Sequence, residues 1–265
     1  MKGAIYTANY WQDREAKAQQ RRAEKSIKDI EKQLREYYNN ASLTIIEEFE
    51  NTYYKLLATA KEGRAFTPAD LYNLDKYWSL QGQVKEELLK LGDKQIELLT
   101  KRFTDNYIAA YLNLSKYGGE AFATIDRKLA EQAINAIWCA DGKSWSQRIW
   151  KMNDYLASTL NDELVNVVIT GKSPSDLKRM LKTRFGVSYS QADSLVRTEI
   201  AHIQTEAAKK RYEDYGIQMV QIWADEDERR CPECGKLHKK IYPVGAAVPI
   251  PAHPRCRCCI VPVID

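Results

Sequence analysis

From Ile27 onward, apolar side chains return every three or four positions: Ile30, Leu34, Tyr37, Ala41, Ile45, Phe49, Tyr53 and Leu56. That spacing draws one stripe along a helix of 3.6 residues per turn, with Glu, Lys, Arg and Gln on the other side. Such a helix needs a partner surface. "KEGRAFTPADL" then supplies a Gly63 stop, a Thr67 cap and Pro68 at the first position of the next helix. The pattern predicts a break near Gly92, followed by a further helix through "TKRFTDNYIAAYLNLSKYGG". Stripes of this kind serve packing, so no chemistry is read in this half. Its tyrosines and balanced charges suit a protein-contact surface as well as a bundle core.

Beyond "YGG" the texture changes to two or three helices punctuated by "ADGKS", "TGKSPSD" and "FGVS". Gly142 and Gly171 can adopt the left-handed conformation that ends a helix, Ser173-Pro174 reads as a cap and first-turn proline, and Gly186 is expected to close the next segment. Cys139, beside Trp138, is expected to be a small buried apolar residue in one of these helices. Helix, glycine turn and a second helix from about Ser190 to Tyr215 resemble a helix-turn-helix, with Lys178, Arg179, Lys182 and Arg184 toward phosphates. The second helix is far longer than a recognition helix requires, which favours ordinary helix packing.

In that long helix Ala192, Val196, Ile200, Ile203 and Ala207 form the predicted buried stripe. Glu199 falls at its margin and Arg197 on the flank. A carboxylate there needs a buried partner, expected as an ion pair or hydrogen bond to the following domain, because an unpaired buried charge is costly. His202 reads as a core or interface side chain.

Composition narrows the classes without choosing among them. The chain has 265 residues, 44% hydrophobic and 29% charged, and its 40 basic and 36 acidic side chains leave a net charge of +4, too weak a field to argue for nucleic-acid binding. No run of apolar residues is long enough to span a bilayer, and the start lacks the features of a signal peptide, so a cytoplasmic origin and no membrane partner are expected. Six cysteines are too few and too clustered for a secreted disulfide framework.

Five of those six cysteines and two of the three histidines lie in "CPECGKLHKKIYPVGAAVPIPAHPRCRCC", residues 231 to 259. It follows "IQMVQIWADEDERRC", which alternates like a strand before an acidic turn. Cys231-x2-Cys234 with Pro232 and Gly235 has the form of a zinc knuckle, in which two sulfurs and neighbouring backbone N–H groups converge on one ion. His253 and Cys256 repeat the x2 spacing. The expected zinc ligands are Cys231, Cys234, His253 and Cys256, with Cys258 the alternative fourth. His238 and Cys259 are weaker candidates, and Cys256-x2-Cys259 would complete a four-thiolate arrangement. Four protein ligands close the tetrahedron to water, so the ion is expected to be structural, stapling a tail too short for its own core. Neither a His-x-Glu deaminase signature nor His-Glu-x-x-His occurs. A disulfide and an open-site hydrolase are the competing readings of the cluster.

Taken together, "FATIDRKLAEQAINAIWCADGKSWSQRIWKMNDYLASTLNDELVNVVITGKSPSDLKRMLKTRF", Arg197-Thr198-Glu199 within a long helix, "IWADEDERRCPECGKLH" and "PAHPRCRC" resemble the phage Mu F-like minor head (head morphogenesis) protein family of tailed bacteriophages over roughly residues 120 to 263. "LHKK" at 237–240 departs from the glycine common in relatives. The resemblance implies a low-copy, non-enzymatic component inside the virion head that associates with the portal protein, and with capsid or scaffold, in procapsid assembly, DNA packaging or delivery, with at most weak non-specific DNA contact. Some relatives carry an appended toxin-like enzymatic domain, for which the end of this chain is expected to leave no room. The expected architecture is mainly α: an N-terminal helical region at 1–118 for docking, a helical domain at 119–216, and a small β/zinc tail at 217–265. The alternative is a DNA-binding regulator built on the helix-turn-helix-like element and a zinc ribbon.

Overall fold

The computed structural model describes residues 8–57, 67, 75–113, 125–224 and 230–263. The fold is mainly α. The helices are α1 (Ala8–Leu57), α2 (Asp75–Asn113), α3 (Arg127–Asn135), α4 (Trp145–Ile169), α5 (Pro174–Asp214) and the short α6 (Pro232–Leu237). Strands β1 (Met219–Trp223), β2 (Ile241–Pro243) and β3 (Cys259–Pro262) make one antiparallel sheet in the order β2-β1-β3. The predicted Gly63 stop and Pro68 start, the "YGG" break and the acidic turn at 225–229 lie outside the described residues. So does the Leu56 side chain.

Two compact units form. The first holds residues 1–30, 99–142 and 194–265, and the second residues 31–98 and 143–193, so α1, α2 and α5 each contribute to both.

The second unit is built on the predicted stripe. Leu34, Ala41, Ile45, Phe49 and Tyr53 are buried. Tyr38 takes the inward place expected of Tyr37, which stays at the edge of the core. Facing residues are Leu80, Val84 and Leu88 from α2, Leu160 and Leu164 from α4, and Leu177 and Leu181 from α5. A polar chain runs through this core. Asn153 Nδ2 donates to Gln95 Oε1 (2.9 Å), Gln95 Nε2 donates to the Tyr38 hydroxyl (3.1 Å), and that hydroxyl meets Ser188 Oγ (3.3 Å). One residue comes from each of α1, α2, α4 and α5, so a register slip of any one would strand a buried polar group.

Helix starts follow the sequence closely. Ser144 and Gln147 form a reciprocal capping box on α4. Ser173 Oγ accepts from the Asp176 amide at the start of α5 (3.2 Å), and Pro174 is its first residue. Gly142, Gly171 and Gly216 all have positive φ, as a helix end or turn requires.

α1 begins at Ala8, and its first part, residues 8–26, is rich in Ala, Gln, Glu, Lys and Arg, all strong helix formers. Three expectations are corrected. Neither Gly92 nor Gly186 breaks a helix, and α2 and α5 run straight through them. The uninterrupted α5 also removes the helix-turn-helix, which needs a turn where residues 183–190 are helical. Finally, Cys139 lies in a bend after α3, half-exposed, and is not a buried helical residue.

Gly92 is inside its helix for a packing reason. A Cβ there would sit 2.2 Å from Cζ3 of the Trp150 indole, so only glycine lets the ring lie against the α2 backbone. Gly92→Ala is therefore expected to destabilise the fold by about 1–3 kcal/mol, despite alanine's better helix propensity. Chemical denaturation reads this out, and a smaller residue at 150 in the same chain should recover part of the loss.

Candidate metal centre

The site belongs to the first unit. α5 ends where Gly216 N donates to Glu213 O (2.9 Å) and Ile217 N to Tyr212 O (2.9 Å), a glycine-closed terminus that turns the chain into β1. β1 pairs with β2 from Met219↔Pro243 and with β3 from Val220↔Pro262. Buried Val220, Ile222, Ile260, Val244 and Ile250 pack with Ala208 and Tyr212 of α5 and with Cys234, Cys256 and Cys258.

The first knuckle forms as the spacing predicts. Cys231 is the N-cap of α6, its Sγ accepts the Cys234 amide (3.3 Å), and Pro232 occupies the first helical turn. The second loop is a tight turn, with Cys256 N donating to His253 O (3.2 Å). Arg255 inside it has φ 61, and its amide donates to Thr198 Oγ1 of α5 (3.0 Å).

Together these loops bring five donors into two adjoining groups. His253 Nε2 lies 3.2 Å from Cys231 Sγ and 3.1 Å from Cys234 Sγ, and Cys234 Sγ lies 3.8 Å from Cys256 Sγ. Cys231, Cys234 and His253 form one group of mutually close ligand atoms, and Cys234, Cys256 and Cys258 form another, sharing Cys234. A tetrahedral ion with bonds of about 2.3 Å to sulfur separates two sulfurs by about 3.8 Å. The Cys234–Cys256 separation matches that value, and each of the two groups could hold a metal ion. The His253 ring is oriented for it: Nδ1 is 2.8 Å from Pro254 O, and a proton there leaves the Nε2 lone pair toward the sulfurs.

Electrostatics agree with a mutually dependent set. The Cys258 thiol, donating to Cys256, is the main reason the Cys256 value falls to about 5, while burial lifts Cys234 to about 12. Backbone N–H donation from Cys234 lowers Cys231, and the Pro254 carbonyl raises His253.

The other candidates are placed elsewhere. Cys259 opens β3 on the opposite side from Cys258, packing with Ala16, Trp223 and Val261, and its Sγ lies 3.8 Å from Trp223 O. Strand alternation thereby removes the Cys256-x2-Cys259 arrangement. His238 Nδ1 accepts the Ala224 amide (3.1 Å), and its ring meets Trp223 edge-on. None of the six cysteines is in a disulfide.

Three features were not expected from the sequence. Glu199, 3% exposed, accepts from the Trp138 indole N–H (3.0 Å), a partner in the loop before α4, and its neighbour Thr198 accepts from the Arg255 amide of the tail. Trp138 also stacks on His202 with centroids 4.2 Å apart. Most unexpectedly, the start of α1 braces the tail: Gln12 donates to Pro262 O (3.1 Å), Gln19 to Ile260 O (3.0 Å), and Ala16 packs on Trp223. The small buried Ala16 between polar neighbours was the signal available for this contact.

Residues 158–261 match the family model described as Phage Mu protein F like protein, and over that stretch the chain is similar to the phage Mu F-like family. The matched stretch contains the whole cluster. Among curated proteins, NAD(+)--arginine ADP-ribosyltransferase EFV of Enterococcus faecalis (strain ATCC 700802 / V583) is 25% identical over 268 residues, covering 91% of this chain and 49% of that protein. The chain thus spans about half the length of that relative. No solved structure matches. No helix among the described residues is long and apolar enough to cross a membrane.

Proposed function

We propose that this chain is a minor head component of a tailed phage or prophage. It associates with the portal inside the head, takes part in procapsid assembly and DNA packaging or delivery, and carries one structural Zn2+. The single observation behind this reading is that the five-donor cluster lies wholly within the Mu F-like stretch. Thiolates and imidazole favour zinc over hard cations, and Cys231, Cys234, Cys256 and His253 are the assigned ligands, with Cys258 as the alternative fourth.

A tetrahedral ion held by four of these donors leaves no position for water and so no means to activate a nucleophile there, and the proposed role is non-enzymatic. The ion's work is mechanical: it ties α6 to the 253–256 turn and so holds β3 against β1. Capsid, scaffold and weak non-specific DNA contacts complete the proposed partners, with synthesis in the host cytoplasm and residence in the virion near the portal. The proposed domain division is 1–118 for docking, 119–216 as the helical domain and 217–265 as the tail.

Co-purification tests the assignment. The tagged chain is expected to retain the portal protein expressed from the same phage genome, and to retain bound zinc near one ion per chain. Portal rings that pass through unbound, together with tight binding to one duplex sequence by about a thousandfold over random DNA, would establish a regulator instead.

A further inference from the structure

A hollow of about 380 Å³ lies in the first unit between Tyr107 of α2, the end of α3 with Trp138 beyond it, and the polar face of α5 from His202 onward. None of the five metal-centre donors lines it. Two of its polar side chains are more than nine-tenths buried: His202 is 8% exposed and Tyr107 5%, and neither makes a hydrogen bond to another described residue. Buried polar groups normally have a partner, so theirs must come from the hollow itself. Both stay uncharged near neutral pH, because burial and then Lys209 hold His202 at about 4, while burial and then the nearby carboxylates, Glu206 first, push Tyr107 up to about 12. The charged lining is balanced. Glu206 and Glu213 stand against Lys209 and Lys210, with Lys209 bonded to Glu206 (3.2 Å) and Lys210 to Asp214. Small Ala133 and Ala136 leave room beside the aromatic rings.

We propose that this hollow binds an uncharged heteroaromatic ring of the nucleobase class, with Trp138 and Tyr107 as its aromatic walls and the His202 imidazole and Tyr107 hydroxyl as the groups that read its edge. A neutral imidazole and a phenol each donate one hydrogen bond and accept another, and a base edge presents donors and acceptors side by side. An acid or an amine would bring a charge that the balanced lining has no need of. Aromatic side chains are the usual platform for an unpaired base, and the volume falls in the ordinary range for small-molecule sites. The base belongs either to a free nucleoside or to an unpaired nucleotide of a single strand, and the chemistry of recognition is shared. This site uses neither the metal nor any portal contact.

The test uses the full chain with its metal retained. Adenosine, cytidine and a short single-stranded oligodeoxynucleotide are titrated in turn, with calorimetry and the imidazole resonances of the histidines as readouts. The chain has three histidines, His202, His238 and His253, so each signal reports a separate place. Saturable binding that moves the His202 signal is expected, and for the uncharged nucleosides the affinity should not change with salt. Tyr107→Phe should weaken binding about fivefold, as loss of one neutral hydrogen bond does. Binding of a nucleoside identifies the free base as the ligand. A His202 shift with the oligonucleotide alone identifies an unpaired base of a strand. Absence of saturable binding by every probe, shifts confined to His238 or His253, or equal affinity in wild type and Tyr107→Phe overturn the site. The His202 shift in the wild type decides even where Tyr107→Phe fails to fold.

Discussion

Cys234→Ser is expected to release the metal ion and to unravel the tail while most helical signal survives. Cys234 is the donor common to both groups of close ligand atoms, it is buried, and its sulfur lies near both His253 and Cys256. Serine offers a poorer ligand and a hydroxyl with no role in the apolar cluster around Ile222 and Ile260. The energy at stake is large: structural zinc contributes about 10–16 kcal/mol of apparent free energy in small domains, comparable with the net stability of a whole domain, about 5–15 kcal/mol. The second unit has its own core and polar chain and should persist. The expected result is therefore zinc loss by elemental assay, rapid proteolysis within 217–263 and modest change in far-UV dichroism. Cys139→Ser, outside the cluster, should retain the ion. Comparing His253→Ala with Cys258→Ser then decides the fourth position, and the assigned set predicts the larger loss for His253.

Acid is expected to weaken the fold through His202 over a defined window. The imidazole is 8% exposed, stacked on Trp138, and its value is depressed from 6.5 to about 4 by burial and, less, by Lys209. Glu206, Lys210 and Glu213 border the same hollow. Between pH 6.5 and 4 the unfolded chain binds this proton and the folded chain does not, so stability falls as pH drops through that window. At the usual 1.36 kcal/mol per pH unit, the loss approaches about 3 kcal/mol at its acid end. His202→Phe keeps a ring against Trp138 and removes the proton site. The difference in denaturation midpoint between wild type and variant should grow steadily in the variant's favour from pH 6.5 to pH 4.5. A difference independent of pH would reject His202 as the group responsible. Measuring the difference also separates it from metal release, which acid promotes in both proteins.

Much of the architecture was legible because local rules and tertiary packing agree at the decisive positions. The Leu34-to-Tyr53 stripe, the Ser173 cap, the Gly171 turn and the Cys231-x2-Cys234 turn each state their structure within a few residues. Gly92 and Gly186 misled because a helical glycine costs only about 1 kcal/mol, which neighbouring contacts readily outweigh. At Gly92 that neighbour is Trp150, distant in sequence. The α1–tail contact was hidden for a similar reason: residues 8–26 carry no long stripe, and their few inward positions, such as Ala16 and Gln19, meet a strand some 240 residues away. The cluster's residues were readable from spacing. The pairing of Glu199 with Trp138 was not, since nothing near Glu199 in sequence names its partner.

Absorption spectroscopy of the cobalt-substituted chain under reducing conditions tests the central claim most directly. A closed structural centre predicts one ion per chain, intense tetrahedral bands with thiolate-to-cobalt charge transfer, and no change on adding azide or cyanate. Weak five- or six-coordinate bands, a spectrum that shifts with those anions, or no bound cobalt at all would contradict it.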